Sequence, residues 1–280
     1  MSDVRTTKLR SGTEIPVLGQ GTWGWAEDAR RRVSEIAALR RGLKLGLSLV
    51  DTAEMYADGG AEKLVGEAIA GRRDEVFLVS KVLPSNATRD GTVAACERSL
   101  RRLRTDWLDL YLLHWRGRVS LAETVGAFED LVAAGKIRHW GVSNFDLRDM
   151  AELATVSGGD NVATDQVLYN LASRGIEWEL LPECRQRQIP VMAYSPLGRG
   201  GLLEERIVID IAIQYDVRPA QVALAWVLRQ DGVIAIPRAS TPARVEQNRA
   251  ALELHLSEET LAELDLAFPP PAGAVPLEVL

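Results

Sequence analysis

The sequence is poor in the residues that build metal and redox centres. Its 280 residues include only two cysteines, Cys96 and Cys184, and three histidines. The cysteines lack the short spacing of a metal or redox motif, and we interpret them as packing residues rather than as a disulfide. The histidines, His114, His139 and His255, are widely separated and form no His-Glu-x-x-His motif. We therefore expect no metal site.

Long apolar runs and an excess of positive charge are also missing. No uninterrupted apolar stretch approaches the roughly 20 residues of a membrane span. Residues 1–8 are hydrophilic and lack the apolar core of a signal peptide, which predicts a cytoplasmic location. The formal net charge of −6 argues against general nucleic-acid binding, which depends on a basic surface. We expect a monomer whose partner is a small molecule, with neither nucleic acid nor membrane as a ligand.

A regular alternation of short apolar runs with amphipathic segments is what the sequence does contain. This alternation favours a parallel sheet wrapped by helices, and the chain length suits one domain over residues 1–280. We predict strands over 17–21, 47–52, 76–81, 108–114, 137–143, 164–167, 191–194 and 233–236. We predict helices over 28–45, 61–70, 91–103, 121–134, 147–153, 177–187, 219–229 and 242–252, with an extra helix over 205–215. Eight strands fit a (β/α)8 TIM barrel of the α/β class.

The two ends of the chain have patterns of their own. Residues 7–16 alternate around Ser11-Gly12, which predicts an N-terminal β-hairpin that would cap the bottom of the barrel. From Pro269 onward the prolines exclude a helix and predict an extended tail.

Three polar residues lie at the carboxyl ends of predicted strands. Asp51, Lys81 and His114 each come after a short apolar run, and Tyr56 lies on the loop after Asp51. The carboxyl ends of barrel strands open onto one face, so these side chains would converge there. Singly, each has an ordinary explanation as a cap, a solvated lysine, a buried histidine or a loop aromatic. Together they predict a catalytic site.

The segments around these residues resemble the aldo-keto reductase superfamily, and among its members bacterial methylglyoxal reductases. The resemblance runs from the N-terminal hairpin to the last predicted barrel helix. It rests on Asp51-Thr52-Ala53-Glu54-Met55-Tyr56, Val79-Ser80-Lys81, Leu108-Asp109-Leu110-Tyr111-Leu112-Leu113-His114, Gly141-Val142-Ser143-Asn144-Phe145, Tyr194-Ser195-Pro196-Leu197 and Ile236-Pro237-Arg238. It implies an NADP-dependent oxidoreductase that reduces aldehydes or ketones, such as methylglyoxal, by hydride transfer.

The resemblance also implies a role for each of the four residues. Tyr56 would donate the proton, Lys81 would stabilise its anion, and Asp51 would hold Lys81 in place. His114 would orient the carbonyl.

No Gly-x-Gly-x-x-Gly follows a predicted strand, so the cofactor, NADPH, has to be bound in another way. The resemblance assigns the nicotinamide to Ser143, Asn144, Gln166 and Tyr194, and the 2′-phosphate to Arg238 and Arg244. Guanidinium groups suit a phosphate dianion, which favours NADPH over NADH. The complete predicted cofactor set is Gly21, Thr22, Trp23, Asp51, Ser143, Asn144, Gln166, Tyr194, Ser195, Pro196, Leu197, Ile236, Pro237, Arg238, Arg244, Gln247 and Asn248.

Tryptophans near strand ends are candidates for the substrate pocket. Trp23, Trp25 and Trp115 would form apolar walls around a carbonyl substrate beside Tyr56 and His114, or they could only cap the barrel core. For Trp25 the two interpretations are equally favoured. The short segment after the seventh strand favours an open pocket for small reactive aldehydes or dicarbonyls.

Two other functions are also compatible with these residues. The first is a barrel lyase that uses Lys81 as a Schiff-base nucleophile. The second is a non-enzymatic subunit that senses NADPH and would bind the cofactor without turnover.

Overall fold

The computed structural model describes residues 4–280, so the first three residues of the predicted domain lie outside the described part of the chain. The strands are β1 (Thr6–Lys8), β2 (Glu14–Pro16), β3 (Gln20–Gly21), β4 (Leu49–Asp51), β5 (Phe77–Val82), β6 (Leu108–Leu113), β7 (Ile137–Ser143), β8 (Asp165–Leu168), β9 (Val191–Tyr194) and β10 (Val233–Ala235). The α-helices are α1 (Arg32–Lys44), α2 (Gly60–Ala68), α3 (Arg89–Leu103), α4 (Leu121–Ala133), α5 (Leu147–Thr155), α6 (Leu180–Gln186), α7 (Arg206–Gln214), α8 (Pro219–Leu228), α9 (Pro242–Ala250) and α10 (Glu258–Ala267).

The strands form two sheets. β1 and β2 pair antiparallel as the predicted hairpin. Strands β3 to β10 form an eight-stranded sheet in chain order, and each neighbouring pair is parallel. Parallel bridges between Leu18 and Ala235 and between Gly21 and Arg238 connect the first and last strand regions of this sheet. The predicted α/β class and the hairpin are therefore confirmed.

Side chains alternate between the two faces of the sheet along β5, so the outward face packs against helices and the inward face carries Lys81. In β5, Leu78 and Val82 belong to the large apolar cluster shared with the helices, whereas Val79 belongs to a smaller cluster on the inner face. Because strand side chains alternate, Lys81 lies on the same face as Val79. The inner cluster receives Leu9 and Ile15 from the hairpin region.

The hairpin lies near the amino-terminal ends of the strands. Thr13, in its turn, is 3.1 Å from Nε2 of His139, close to the beginning of β7. The polar residues Asp51, Lys81 and His114 lie at the opposite, carboxyl ends of the strands.

The predicted elements are present, but their boundaries differ. β3 is shorter than the strand predicted over 17–21, because Leu18 makes only an isolated bridge. Helix α10 is absent from our predicted set, although Ser257 caps it and Glu258 and Glu259 lie in its first turn. Those residues are an ordinary helix start signal. No helix within residues 4–280 is long and apolar enough to cross a membrane.

Candidate active site

Lys81 is the centre of the candidate site. Its side chain is fully buried at the end of β5. Its ammonium group donates to Asp51 Oδ2 at 2.7 Å, to the Thr52 carbonyl oxygen at 2.9 Å and to Tyr56 Oη at 3.0 Å. The three donors of the lysine are thus all used, and they fix the phenol beside a positive charge.

Burial and charge act in opposite directions on this pair. Burial raises the pKa of Tyr56, and the nearby Lys81 charge only partly opposes that effect. Burial works against the charge of Lys81, but attraction to Asp51 and Tyr56 outweighs it, so the pKa of Lys81 is raised. The resting site therefore holds a protonated phenol next to an ammonium ion, which is the arrangement of a proton donor whose anion would be stabilised.

His114 completes the group of four. Its ring centroid lies 5.8 Å from that of Tyr56 and 4.9 Å from that of Trp115. Burial, with a contribution from the Lys81 charge, lowers the pKa of His114 to about 3. The imidazole is consequently neutral at physiological pH. Its Nδ1 is buried and has no hydrogen-bond partner within residues 4–280.

The loop that carries Tyr56 has an unusual backbone. Ala57 and Asp58 have φ values of 49° and 51°, and Gly59 follows with φ of 76°. The left-handed region is costly for residues with a Cβ, so the surrounding structure must hold this loop in place. A Cβ at position 59 would lie only 2.4 Å from Nε of Arg102, so glycine allows Arg102 to pack over the loop.

Two buried carboxylates anchor the same loop, and neither was among the predicted site residues. Glu62 accepts from Ser80 Oγ at 2.7 Å and from Arg102 at 3.0 Å. Glu54 accepts from the Leu83 amide at 2.9 Å and from the Asn86 side chain at 2.9 Å. They flank Tyr56 in the sequence and tie its loop to the strand that carries Lys81. The position of both glutamates close to Tyr56 in the sequence indicates a role at the site. Their hydrogen-bond partners, however, come from distant segments of the chain.

Residues from β7, β8 and β9 form the adjoining half of the site. Gln166 donates to Asp51 Oδ1 at 2.8 Å, and the Gln166 carbonyl accepts from Ser143 Oγ at 2.8 Å. Asn144 donates to the His114 carbonyl at 3.1 Å and accepts from Tyr194 Oη at 2.8 Å. Burial raises the pKa of Tyr194 to about 12, so its hydroxyl remains a donor. The predicted nicotinamide residues thus adjoin the group around Lys81.

The turn after β3 faces the segment after β10. Gly21 bridges to Arg238, and a Cβ on Gly21 would lie 2.6 Å from the Ile236 carbonyl oxygen. A Cβ on Gly24 would lie 2.9 Å from Nη1 of Arg238. Glycine at positions 21 and 24 allows the two segments to approach closely. The structure therefore brings the predicted cofactor residues 21–23 next to those at 236–238.

The two residues predicted to bind the 2′-phosphate, Arg238 and Arg244, lie at the start of α9. We call them the phosphate corner. Thr241 caps this helix by accepting from the Arg244 amide. Arg238 and Arg244 are exposed, and neither forms an ion pair with any residue from 4 to 280. Two unpaired guanidinium groups beside a helix N-terminus fit a phosphate. Gln247 and Asn248 lie further along the same helix, and Asn248 is buried.

The remaining candidates divide between the surface and the core. Trp23 and Trp115 are 49% and 37% exposed, whereas Trp25 is 1% exposed and packs in the core. The guanidinium of Arg199 lies over the Trp23 ring at 5.2 Å. After β9, Ser195 has φ of 48° and its carbonyl accepts from Asn170 at 3.0 Å, which turns the Ser195-Pro196-Leu197 segment. Within residues 4–280 no group of three or more His, Cys, Asp or Glu side chains is placed to hold a metal ion.

Comparison with known proteins identifies the class to which this fold and site belong. Residues 17–267 match the aldo/keto reductase family, and the chain belongs to that family. The chain is 58% identical to methylglyoxal reductase YeaE of Escherichia coli over 271 residues, which are 95% of each protein. It is 35% identical to glyoxal reductase of Bacillus subtilis, over 93% of this chain and 91% of that protein.

Solved structures agree with this assignment. An aldo/keto reductase from Klebsiella pneumoniae, crystallised with NADP and acetate, superposes with a TM-score of 0.96 at 51% identity. The match covers 99% of this chain and all (100%) of the Klebsiella chain. The resemblance to the aldo-keto reductase superfamily that the sequence showed is therefore confirmed.

Proposed function

We propose that this protein is an NADPH-dependent reductase of small aldehydes and 2-oxoaldehydes such as methylglyoxal, with Tyr56 as the proton donor. The contact that carries the proposal is the 3.0 Å distance between Lys81 Nζ and Tyr56 Oη, with Asp51 on the other side of the lysine. The names of the Escherichia coli and Bacillus subtilis relatives support the substrate class.

The cofactor is NADPH, and the residues that would hold it belong to two groups. Ser143, Asn144, Gln166 and Tyr194 offer amide and hydroxyl groups for the nicotinamide end, and Arg238 and Arg244 offer unpaired charge for the 2′-phosphate. When bound, NADPH supplies the hydride. The NADP complex of the Klebsiella relative supports this assignment. We also propose that the sheet closes into a barrel, which the two bridges between the β3 and β10 regions support.

The residues around Lys81 would handle the proton. Neutral His114 hydrogen-bonds and orients the substrate carbonyl, and its lowered pKa keeps it from competing as an acid. Tyr56 gives its proton to the carbonyl oxygen as the alcohol forms. The resulting phenolate lies against the Lys81 ammonium, whose charge Asp51 maintains.

A Schiff-base lyase is less compatible with this geometry. A nucleophilic lysine must lose its proton, but attraction to Asp51 and Tyr56 raises the pKa of Lys81. All three hydrogens of its ammonium are also engaged. A pure NADPH sensor has no use for a complete proton-donating group, so the arrangement favours an enzyme.

A spectroscopic assay tests the proposal. NADPH absorbance is followed with a panel of aldehydes that includes methylglyoxal, for the wild type, Tyr56→Phe and Tyr215→Phe. Tyr215 bonds Thr260 away from the site and serves as the matched control. We expect Tyr56→Phe to lose roughly 100-fold or more in rate, as is usual for a general acid. Quenching of tryptophan fluorescence by NADPH should persist in that variant.

Three results would contradict the proposal. Equal turnover by Tyr56→Phe and wild type would exclude Tyr56 as the donor. Tight NADPH binding without turnover of any aldehyde would favour the sensor, and trapping of substrate on Lys81 by borohydride would favour the lyase.

A further inference from the structure

A cavity that is wide open to solvent and lined by basic residues lies on the outside of the sheet, between helices α2 and α3. It has a volume of about 400 Å³, and its lining consists of Lys63, Arg98, Arg101, Arg102 and Arg104. The chain as a whole carries a net charge of −6, so five cations around one cavity run against the overall charge balance. None of these residues is among the predicted catalytic or cofactor residues, although Arg102 packs over the loop that carries Tyr56.

Most of this charge is not neutralised by the protein. Arg98 pairs with Glu54 at 3.4 Å and Arg102 pairs with Glu62 at 3.0 Å. Within residues 4–280, Lys63, Arg101 and Arg104 have no carboxylate partner, and all three are exposed. Three cations therefore remain unpaired at one cavity, and their mutual repulsion would be relieved by an anion.

The helix itself explains only part of the cluster. Arg101 and Arg102 lie in the last turn of α3, where the helix dipole favours cations. Arg98 stands three and four residues before them on the same face, an arrangement of like charges that destabilises an isolated helix. Lys63 comes from a different helix, α2. The dipole of α3 therefore does not account for the convergence.

The backbone at Arg104 is a second and independent observation. This residue is the C-cap of α3 and has φ of 56° and ψ of 47°, in the left-handed region. Glycine is the usual residue in this conformation after a helix, because a Cβ is disfavoured there. An arginine in that position retains a costly backbone and places a fifth basic residue on the cavity.

The guanidinium of Arg102 is held firmly at the same place. Its ion pair with the fully buried Glu62 fixes it from one side, and Gly59 leaves room for it on the other. A preorganised guanidinium loses little conformational freedom when it binds an anion. The cluster thus combines one fixed arginine with neighbours that have free donors.

We propose that this cavity binds a small polyanion that carries two or more phosphate groups. Guanidinium groups donate paired hydrogen bonds to phosphate oxygens, and several of them converge here. The acidic chain as a whole does not favour nucleic acid. This cavity is separate from the phosphate corner, Arg238 and Arg244.

The probe for the test is inorganic pyrophosphate, measured by isothermal titration calorimetry at low ionic strength. The cavity variant is Arg101→Gln combined with Arg104→Gly, which leaves the arginines paired with Glu54 and Glu62 intact. Glycine at position 104 suits the left-handed backbone, so this variant should fold and melt at least as high as the wild type. Its reduction of methylglyoxal should be unchanged.

A second variant removes the alternative site for the same probe. Arg238→Ala combined with Arg244→Ala removes the charges of the proposed phosphate corner. We expect pyrophosphate binding to persist in this second variant and to weaken about tenfold or more in the cavity variant, the usual effect of losing a charge-assisted contact. Pyrophosphate should also bind more tightly than monophosphate.

Three outcomes would overturn the proposal. Equal affinity of the wild type and the cavity variant would exclude the cavity. Loss of pyrophosphate binding only in the Arg238→Ala, Arg244→Ala variant would place the probe in the phosphate corner. That result would overturn the cavity proposal but support the proposed function. Binding of a polyglutamate peptide or an oligonucleotide, without binding of pyrophosphate, would make the cluster a docking surface for a macromolecule.

Discussion

Gln166 Nε2 lies 2.8 Å from Asp51 Oδ1, while the other oxygen of the same carboxylate accepts from Lys81. One aspartate therefore joins the residue expected at the nicotinamide to the residue that holds the proton donor. Its carboxylate is buried, so each oxygen has its partner supplied by the protein.

Replacing Asp51 should be costly for both stability and activity. Asp51→Asn leaves the Lys81 ammonium buried without a counter-charge, and breaking a buried pair in this way costs about 3–5 kcal/mol. The free energy of unfolding in urea should fall by that amount, and the reduction rate should fall with it. Asp210→Asn removes an exposed ion pair with Arg206 and is the matched control, for which we expect a cost below about 1 kcal/mol. Equal costs for the two variants would contradict the role of Asp51.

The phosphate corner predicts a difference between the two cofactors. Arg238→Ala and Arg244→Ala should each raise the Michaelis constant for NADPH about tenfold, because each removes a charge-assisted contact. The constant for NADH, which has no 2′-phosphate, should change little. Initial rates with both cofactors measure this, with Arg206→Ala as a control on another helix. A parallel loss for both cofactors would show that these arginines do not recognise the 2′-phosphate.

His114 should contribute to the pH dependence of stability. Its pKa is about 3 in the folded protein, against roughly 6.5 in an unfolded chain. As the pH falls from 6.5 towards 3, the unfolded state binds a proton that the folded state does not, so stability decreases. The slope is at most about 1.4 kcal/mol per pH unit.

Urea unfolding of His114→Gln at pH 4, 5, 6 and 8 measures this contribution. The variant should lose that part of the slope between pH 6 and 4, relative to the wild type. His255→Gln, which replaces an exposed histidine, should keep the wild-type slope. An unchanged slope in His114→Gln would show that the imidazole is not held neutral by burial.

The placement of Asp51, Lys81 and His114 could be predicted from the sequence, because strand ends of a parallel sheet share one face. Each of the three follows an apolar run, and only their combination indicates a shared site. The anchoring of the Tyr56 loop could not be predicted. Glu62 meets Arg102 from α3, and no local pattern specifies that contact.

Core and surface roles were also difficult to separate for the aromatic candidates. Trp23 and Trp25 are two residues apart, yet one is half exposed and the other buried. The intervening Gly24 has φ of 73°, which turns the chain and removes the alternation of a strand. The contribution of Trp25 to the substrate pocket stays a prediction, as do the monomeric state and the cytoplasmic location.

Asp165 is a buried acid whose removal should stabilise the protein. It lies in β8, and neither of its oxygens has a hydrogen bond of acceptable geometry within residues 4–280. Burial raises the pKa of Asp165 well above its usual value, although the nearby Phe145 amide favours the carboxylate. The folded state therefore keeps a proton that the unfolded state releases above about pH 4.

The sign of the resulting effect follows from this difference in bound protons. Stability should decrease as the pH rises above about 4, by up to about 1.4 kcal/mol per pH unit, until the folded carboxyl also ionises. Asp165→Asn has nearly the same shape and no charge at any pH, so it should be more stable than the wild type at pH 8 and similar near pH 4. Urea unfolding at both pH values measures this, with the exposed Asp231→Asn as the control. A loss of stability at pH 8 would mean that the carboxylate has a favourable partner, and the Phe145 amide would be the first candidate.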